Sequence, residues 1–173
     1  PRWTTITDPS ADMAVNVISY TLTINGTGDA VDVGAITGTT GTVAVTSATG
    51  AAVDSTIASI TLSGAGDVTL TNVDNGNGAT LAVTGALSIG GALTLLNSEA
   101  TETAEHVTMT VTGNYAVTGI TTVGAAVSNK SNAILNLNGT TISSGSYALN
   151  NTGTGLASMV FTGTGAQTVT GAI

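Results

Sequence analysis

An all-β fold, a parallel β-helix of about seven three-faced coils, is what this sequence predicts. Three observations carry the expectation: the smallness of the side chains, a recurrent short alternation of Thr with aliphatic residues, and a loose period in that alternation. The 173 residues include 23 Gly but only 1 Trp, 1 Phe and 3 Tyr, and threonine is the commonest residue. So little bulk cannot fill a wide core. Yet 42% of the residues are hydrophobic, 7% are charged and the mean hydropathy is +0.40, values that exclude a disordered chain. A thin core, about two or three small side chains across, fits both facts.

The strands follow from the alternation. Thr21–Ile24, Thr42–Val45, Asp67–Leu70, Thr80–Val83 and Val107–Val111 each alternate Thr, Ala or Asp with an aliphatic residue and are closed by Gly, Asn or Ser nearby. β-Branched residues and Gly interrupt almost every window that could hold three helical turns. A first set of strands is expected near Thr21, Thr42, Ile60, Thr80, Val107, Ile134 and Met159, spaced by about 18 to 27 residues, the span of one solenoid coil. A second set follows at Val31–Val33, Ala52–Asp54, Val68–Leu70, Leu87–Ile89, Tyr115–Val117, Thr141–Ser143 and Thr168–Thr170. A partial third comprises Ala35–Thr37, Thr56–Ala58, Leu93–Leu95, Ile120–Val123 and Tyr147–Leu149. Stacking like on like sends Val43, Val45, Leu81, Val83, Val111, Leu135 and Leu137 inward and leaves Thr ladders outside. Asn25, Asn72, Asn97, Asn136 and Asn138 are placed at corners, where Asn tolerates left-handed backbone and stacked amides can bond along the axis. An antiparallel β-sandwich is the alternative fold, because short strands with frequent turns also fit that class.

Organisation along the chain is uneven at its ends. Pro1–Asp12 holds both prolines, Trp3 and Arg2 and lacks the strand pattern, so residues 1–19 read as an N-terminal arm, linker or cap and 20–173 as the solenoid. A Pro in first position is read as a leader already removed or as a fragment. At the other end the strand pattern runs through Thr168, Val169 and Thr170 to Ile173 without a capping helix. Trp3 with Thr168, Val169 and Thr170 are therefore the candidate assembly residues, through which copies would stack head to tail.

Charge narrows the functional classes. Two basic residues, Arg2 and Lys130, stand against ten acidic ones, for a formal net charge of -8 and a pI near 4.1. Nucleic acid is not an expected partner, since phosphate recognition needs clustered Lys and Arg. No apolar run approaches the length of a spanning helix, and with no Cys there are neither disulfides nor thiolate sites. Glu99, Glu102 and Glu105 lie three apart, a spacing that would put three carboxylates on one side of a short helix facing calcium; the alternative is a solvated excursion capped by Ser98. Asp29 with Asp32 and Asp67 with Asp74 raise paired carboxylates for polysaccharide cleavage, but a lone His106 and few aromatics give such a site little else. Catalysis and cofactors are not expected. Asn25, Asn129, Asn138 and Asn150 each begin an Asn-x-Ser/Thr sequon.

Phe161-Thr-Gly-Thr-Gly-Ala-Gln-Thr-Val-Thr-Gly171 and Gly64-Ala-Gly-Asp-Val-Thr-Leu-Thr71 resemble the Gly/Thr-rich repeats of bacterial surface proteins: autotransporter passengers, haemagglutinin-type adhesins, and surface-layer or filament subunits. The resemblance implies an extracellular or cell-surface location and self-association. Gly26-Thr-Gly-Asp29 and Gly64-Ala-Gly-Asp67 are also similar to calcium-binding nonapeptide repeats, but here the unit is not in tandem. A structural subunit of an extracellular filament or surface layer is the expected function. An adhesin contacting glycans or a host surface is the second expectation, and a polysaccharide-acting enzyme the third.

Overall fold

A computed structural model of the chain describes residues 14–25, 30–47, 52–73, 77–98, 106–125, 132–151 and 154–173. Among them every regular element is a strand: β1 (Val15–Ile18), β2 (Thr21–Asn25), β3 (Ala30–Gly38), β4 (Thr42–Thr46), β5 (Val53–Leu62), β6 (Val68–Asn72), β7 (Ala79–Val83), β8 (Leu87–Ile89), β9 (Leu93–Asn97), β10 (His106–Val111), β11 (Tyr115–Ala125), β12 (Asn132–Leu137), β13 (Thr141–Asn151), β14 (Ala157–Phe161) and β15 (Thr168–Ala172). All pair in parallel, and each strand's partners lie one coil away in sequence, as Leu81 pairs with Met109 and Met109 with Leu135. That pattern is a β-solenoid. Parallel pairing throughout rules out the antiparallel sandwich.

Three faces wind in fixed order. The first stacks the start of β3 and of β5, then β7, β10, β12 and β14. The second stacks β1, the end of β3 and of β5, β8, the start of β11 and of β13, and β15. The third stacks β2, β4, β6, β9 and the ends of β11 and β13. Five coils are complete in all three faces, with a partial one before and after them, where the sequence period predicts about seven. The difference has a local cause. β3 and β5 run from the first face into the second, and β11 and β13 from the second into the third, without a strand break. Judged by turn residues alone, Thr21 and Thr42 on the third face and Ile60 on the second fall into one set with Thr80, Val107, Ile134 and Met159 on the first. From Thr80 onward the three expected sets do coincide with the three faces.

Burial alternates along the strands inside the stack, such as β4, β6, β7, β10 and β12, as a period of two requires. Val43, Val45, Leu81, Val83, Val111, Leu135 and Leu137 are all at 0% exposure, within one continuous apolar cluster. Val43 and Val45 line the third face and the other five line the first.

Two of the three corners are built from glycine columns. Between the first and second faces, a Cβ on Gly139 would stand 2.2 Å from the Gly113 carbonyl oxygen, and one on Gly113 would stand 2.6 Å from that of Gly85. Between the second and third, Gly91 approaches the Gly66 carbonyl in the same way, and Gly119 that of Gly91. Only a residue without Cβ lets successive coils close to hydrogen-bonding distance there, as in Gly113 N–H to Gly85 O at 2.9 Å and Gly119 N–H to Gly91 O at 2.9 Å. The high Gly content thus serves the corners. The third corner, between the third face and the next coil's first, is made differently.

Candidate assembly face and the polar groups of the core

The last rung, β14 and β15, carries the expected assembly residues Thr168, Val169 and Thr170. Val169 continues the second-face column that runs through Ile60, Leu87, Tyr115 and Ile142. One coil earlier Ile142 is 0% exposed, whereas Val169 is 44% exposed. The same step occurs on the other faces, from buried Leu137 to exposed Phe161 and from buried Val123 to exposed Leu149. These are inward-pointing side chains without a rung over them. Thr168 and Thr170 point outward and are exposed. β14 pairs with β12 alone and β15 with β13 alone among the described residues, so each presents an open backbone edge.

The rung is held from within. The Gln167 side-chain amide donates to the Leu137 and Gly139 carbonyls, both at 2.9 Å, and the Tyr147 hydroxyl donates to Thr170 O at 3.1 Å. Gly171 sits at φ 141°, where a Cβ would meet Ser144 O and the Tyr147 ring. Trp3, the remaining assembly candidate, lies outside the described residues. So do the candidate calcium ligands Glu99, Glu102 and Glu105, and Asp29 and Asp74 of the two candidate carboxylate pairs. Of the described acids, Asp32 and Asp54 are exposed on the first face, and Asp67 is committed to the fold: its Oδ1 accepts the Ala92 amide at 2.7 Å. His106 is exposed at the start of β10. Among the described residues no three His, Asp or Glu side chains gather as a metal site.

Two hydrogen-bonded polar clusters, and Ser55 by itself, interrupt the apolar columns. Near the corner between the second and third faces, the Tyr115 hydroxyl is 2.5 Å from Thr121 Oγ1, which is 2.8 Å from Ser144 Oγ, which in turn donates to Ser146 O at 2.7 Å. Because a carbonyl only accepts, the Ser144 proton is committed to it; Thr121 must then donate to Ser144, and Tyr115 to Thr121. The direction of the whole chain is fixed by its last member. Burial pushes the Tyr115 pKa far above the tyrosine range, against the stabilising bond with Thr121, and burial also raises that of Tyr147.

The second group occupies the corner that lacks a glycine column. Ser47 Oγ donates to Asn72 Oδ1 at 2.5 Å, Asn72 Nδ2 to Asn97 Oδ1 at 3.4 Å, and Asn97 Nδ2 to Asn132 O at 3.2 Å. Ser47, Asn72 and Asn97 are each at most 1% exposed. The sequence placed Asn72 and Asn97 at corners correctly. Asn25, which ends β2, and Asn138, which opens the connection from β12 to β13, also lie at corners, whereas Asn136 points outward from the next-to-last position of β12 and donates to Thr110 Oγ1 at 3.3 Å. The Ser47, Thr121 and Ser144 partners were missed, since a buried hydroxyl and a surface one look alike in a Thr-rich sequence.

No protein-family model, curated protein or solved structure matches the chain.

Proposed function

We propose that this chain is a structural, non-enzymatic subunit of an extracellular filament or surface layer, of the kind its Gly/Thr-rich repeats resemble, and that copies associate along the coil axis. The observation that carries the reading is the exposed inward side of the last rung, Leu149, Phe161 and Val169, beside the open edges of β14 and β15. A further coil laid there, from another copy or from any continuing chain, finishes the covering of three half-exposed apolar side chains. That burial yields roughly 1 kcal/mol each. Such a gain is smaller than the roughly 4–15 kcal/mol that association costs. Backbone ladders on three faces, at roughly 0.5–1.5 kcal/mol per bond, must therefore supply the difference, which makes association depend on edge geometry more than on apolar area.

The partners in this reading are other copies of the chain, and the location is outside the cell or on its surface. Electron microscopy and sedimentation of the purified protein, beside Val169→Lys, test it. Threads in the parent that shorten or vanish with Val169→Lys support the reading, because the ammonium would stand in the axial contact without a partner. Monodisperse short rods at every concentration overturn it in favour of an adhesin-type rod that binds glycans or a host surface. Equal assembly of parent and variant overturns axial stacking through this rung.

A further inference from the structure

We infer that Asn138–Gly139 is a self-modification site, an Asn-Gly pair poised to deamidate, which the last coil of the solenoid, β14 and β15, holds shut. The inference is independent of the assembly reading.

Deamidation needs only the chain and water. The Gly backbone nitrogen, its proton given to hydroxide, attacks the Asn Cγ; the new C–N bond closes a cyclic imide, and the side-chain nitrogen leaves as ammonia. Water then opens the imide at either carbonyl, leaving Asp, or isoaspartate, in which the main chain runs through the former side chain. A following Gly favours the step, because no Cβ shields its nitrogen. The attack also requires Cγ to approach that nitrogen in line, so a held side chain between held peptides suppresses it. Asn25, Asn75, Asn77 and Asn138 each precede a Gly. Of these, Asn138 is the one that precedes a glycine of the described columns; the equivalent positions before Gly85 and Gly113 are Thr84 and Thr112.

The last coil ties down both the side chain and the backbone of this pair. Thr162 Oγ1 donates to Asn138 Oδ1, and the Thr162 amide donates to Leu137 O at 3.1 Å. Gln167 Nε2 donates to Leu137 O and to Gly139 O, both at 2.9 Å, and so fixes the peptides before and after the reacting one. The Thr168 amide donates to Thr140 O at 2.9 Å. Bringing Cγ onto the Gly139 nitrogen breaks the Thr162 bond, and turning the peptide between them works against the Gln167 bonds. Yet the last coil is an open end: among the described residues β14 pairs with β12 alone and β15 with β13 alone, and all of β15 is exposed. Such an edge opens locally before the interior does. Opening frees Asn138, and conversion makes the opening permanent. Isoaspartate adds a main-chain carbon at a corner where even a Cβ on Gly139 would stand 2.2 Å from Gly113 O.

The rate of isoaspartate formation at position 138, read by mass spectrometry of protein held at mildly alkaline pH, tests the gate. The folded parent should convert at least about tenfold more slowly than the same chain unfolded in urea. Thr162→Val with Gln167→Ala should raise the folded-state rate at least about tenfold through the bonds lost, while far-ultraviolet circular dichroism stays β-rich. Tyr115→Phe, which loses a hydrogen bond in the middle of the rod, should leave the rate within about twofold of the parent. Equal conversion of folded and unfolded parent, a double variant as slow as the parent, or Tyr115→Phe as fast as the double variant overturns the inference. If the double variant does not fold, the shape-matched Thr162→Val alone decides: conversion roughly threefold or more above the parent supports the gate, and a smaller change overturns it.

Discussion

Replacing Thr121 with Val should destabilise the protein more than replacing Thr121 and Tyr115 together. The reason lies in the fixed direction of the hydroxyl chain, in which Tyr115 donates to Thr121, Thr121 to Ser144 and Ser144 to a backbone carbonyl. Val at position 121 leaves the Tyr115 hydroxyl, on a residue only 1% exposed, without an acceptor. An orphaned buried hydroxyl costs about 1–3 kcal/mol. Phe at position 115 alone removes a terminal donor and leaves every other proton placed, a loss of about 1 kcal/mol. In the Tyr115→Phe/Thr121→Val double variant no tyrosine hydroxyl remains to be orphaned, so the two changes should couple by about 1–2 kcal/mol. Of the two proteins that carry Thr121→Val, the double variant should therefore be the more stable. Urea unfolding followed by far-ultraviolet circular dichroism, with the midpoint and slope compared across the four proteins, measures this. Additive losses, or a double variant weaker than Thr121→Val, would refute the assigned direction of donation.

Alkaline pH, the glycine columns and an unpartnered hydroxyl supply three more tests. Tyr115 and Tyr147 both have folded pKa values above the ordinary 10.0, so the stability they contribute is whole below about pH 10 and is lost as pH rises beyond it; the parent should unfold in that alkaline range, Tyr115→Phe should resist to higher pH, and identical alkaline midpoints would contradict the linkage. Gly139→Ala should lower stability by several kcal/mol, while Gly165→Ala, where a Cβ meets nothing within 4 Å among the described residues, should be neutral within about 0.5 kcal/mol in the same urea titration. Among the described residues Ser55 Oγ is buried with no hydrogen-bond partner, so Ser55→Ala should raise stability by about 1 kcal/mol, and a loss of that size would show that the hydroxyl is in fact bonded.

How far the sequence foretold this molecule depends on what each signal measures. Alternation of period two reports which side chains point inward, and residues such as Leu81 and Leu135 were legible from it alone. Coil boundaries depend on turn residues, and these fail where a strand bends through a corner unbroken. Gly34 in β3 and Gly145 in β13 look like strand ends but lie inside strands. The acidic triplet Glu99, Glu102 and Glu105 was legible as a spacing only, and its residues lie outside the described structure. Trp3 stands likewise. The polar chain through Tyr115 was not legible at all, because its central link joins Thr121 to Ser144, 23 residues on, and these meet only when one coil lies on the next.

Axial association is the central claim, and fibre diffraction from aligned, concentrated protein tests it most directly. Strands that run across the rod and stack without interruption from subunit to subunit place the 4.7–4.9 Å strand spacing along the thread axis. The account predicts threads with a sharp reflection at about 4.8 Å on the meridian, lost or broadened in Val169→Lys. Threads in which that reflection lies off the meridian, or a concentrated solution that forms no threads, would contradict it.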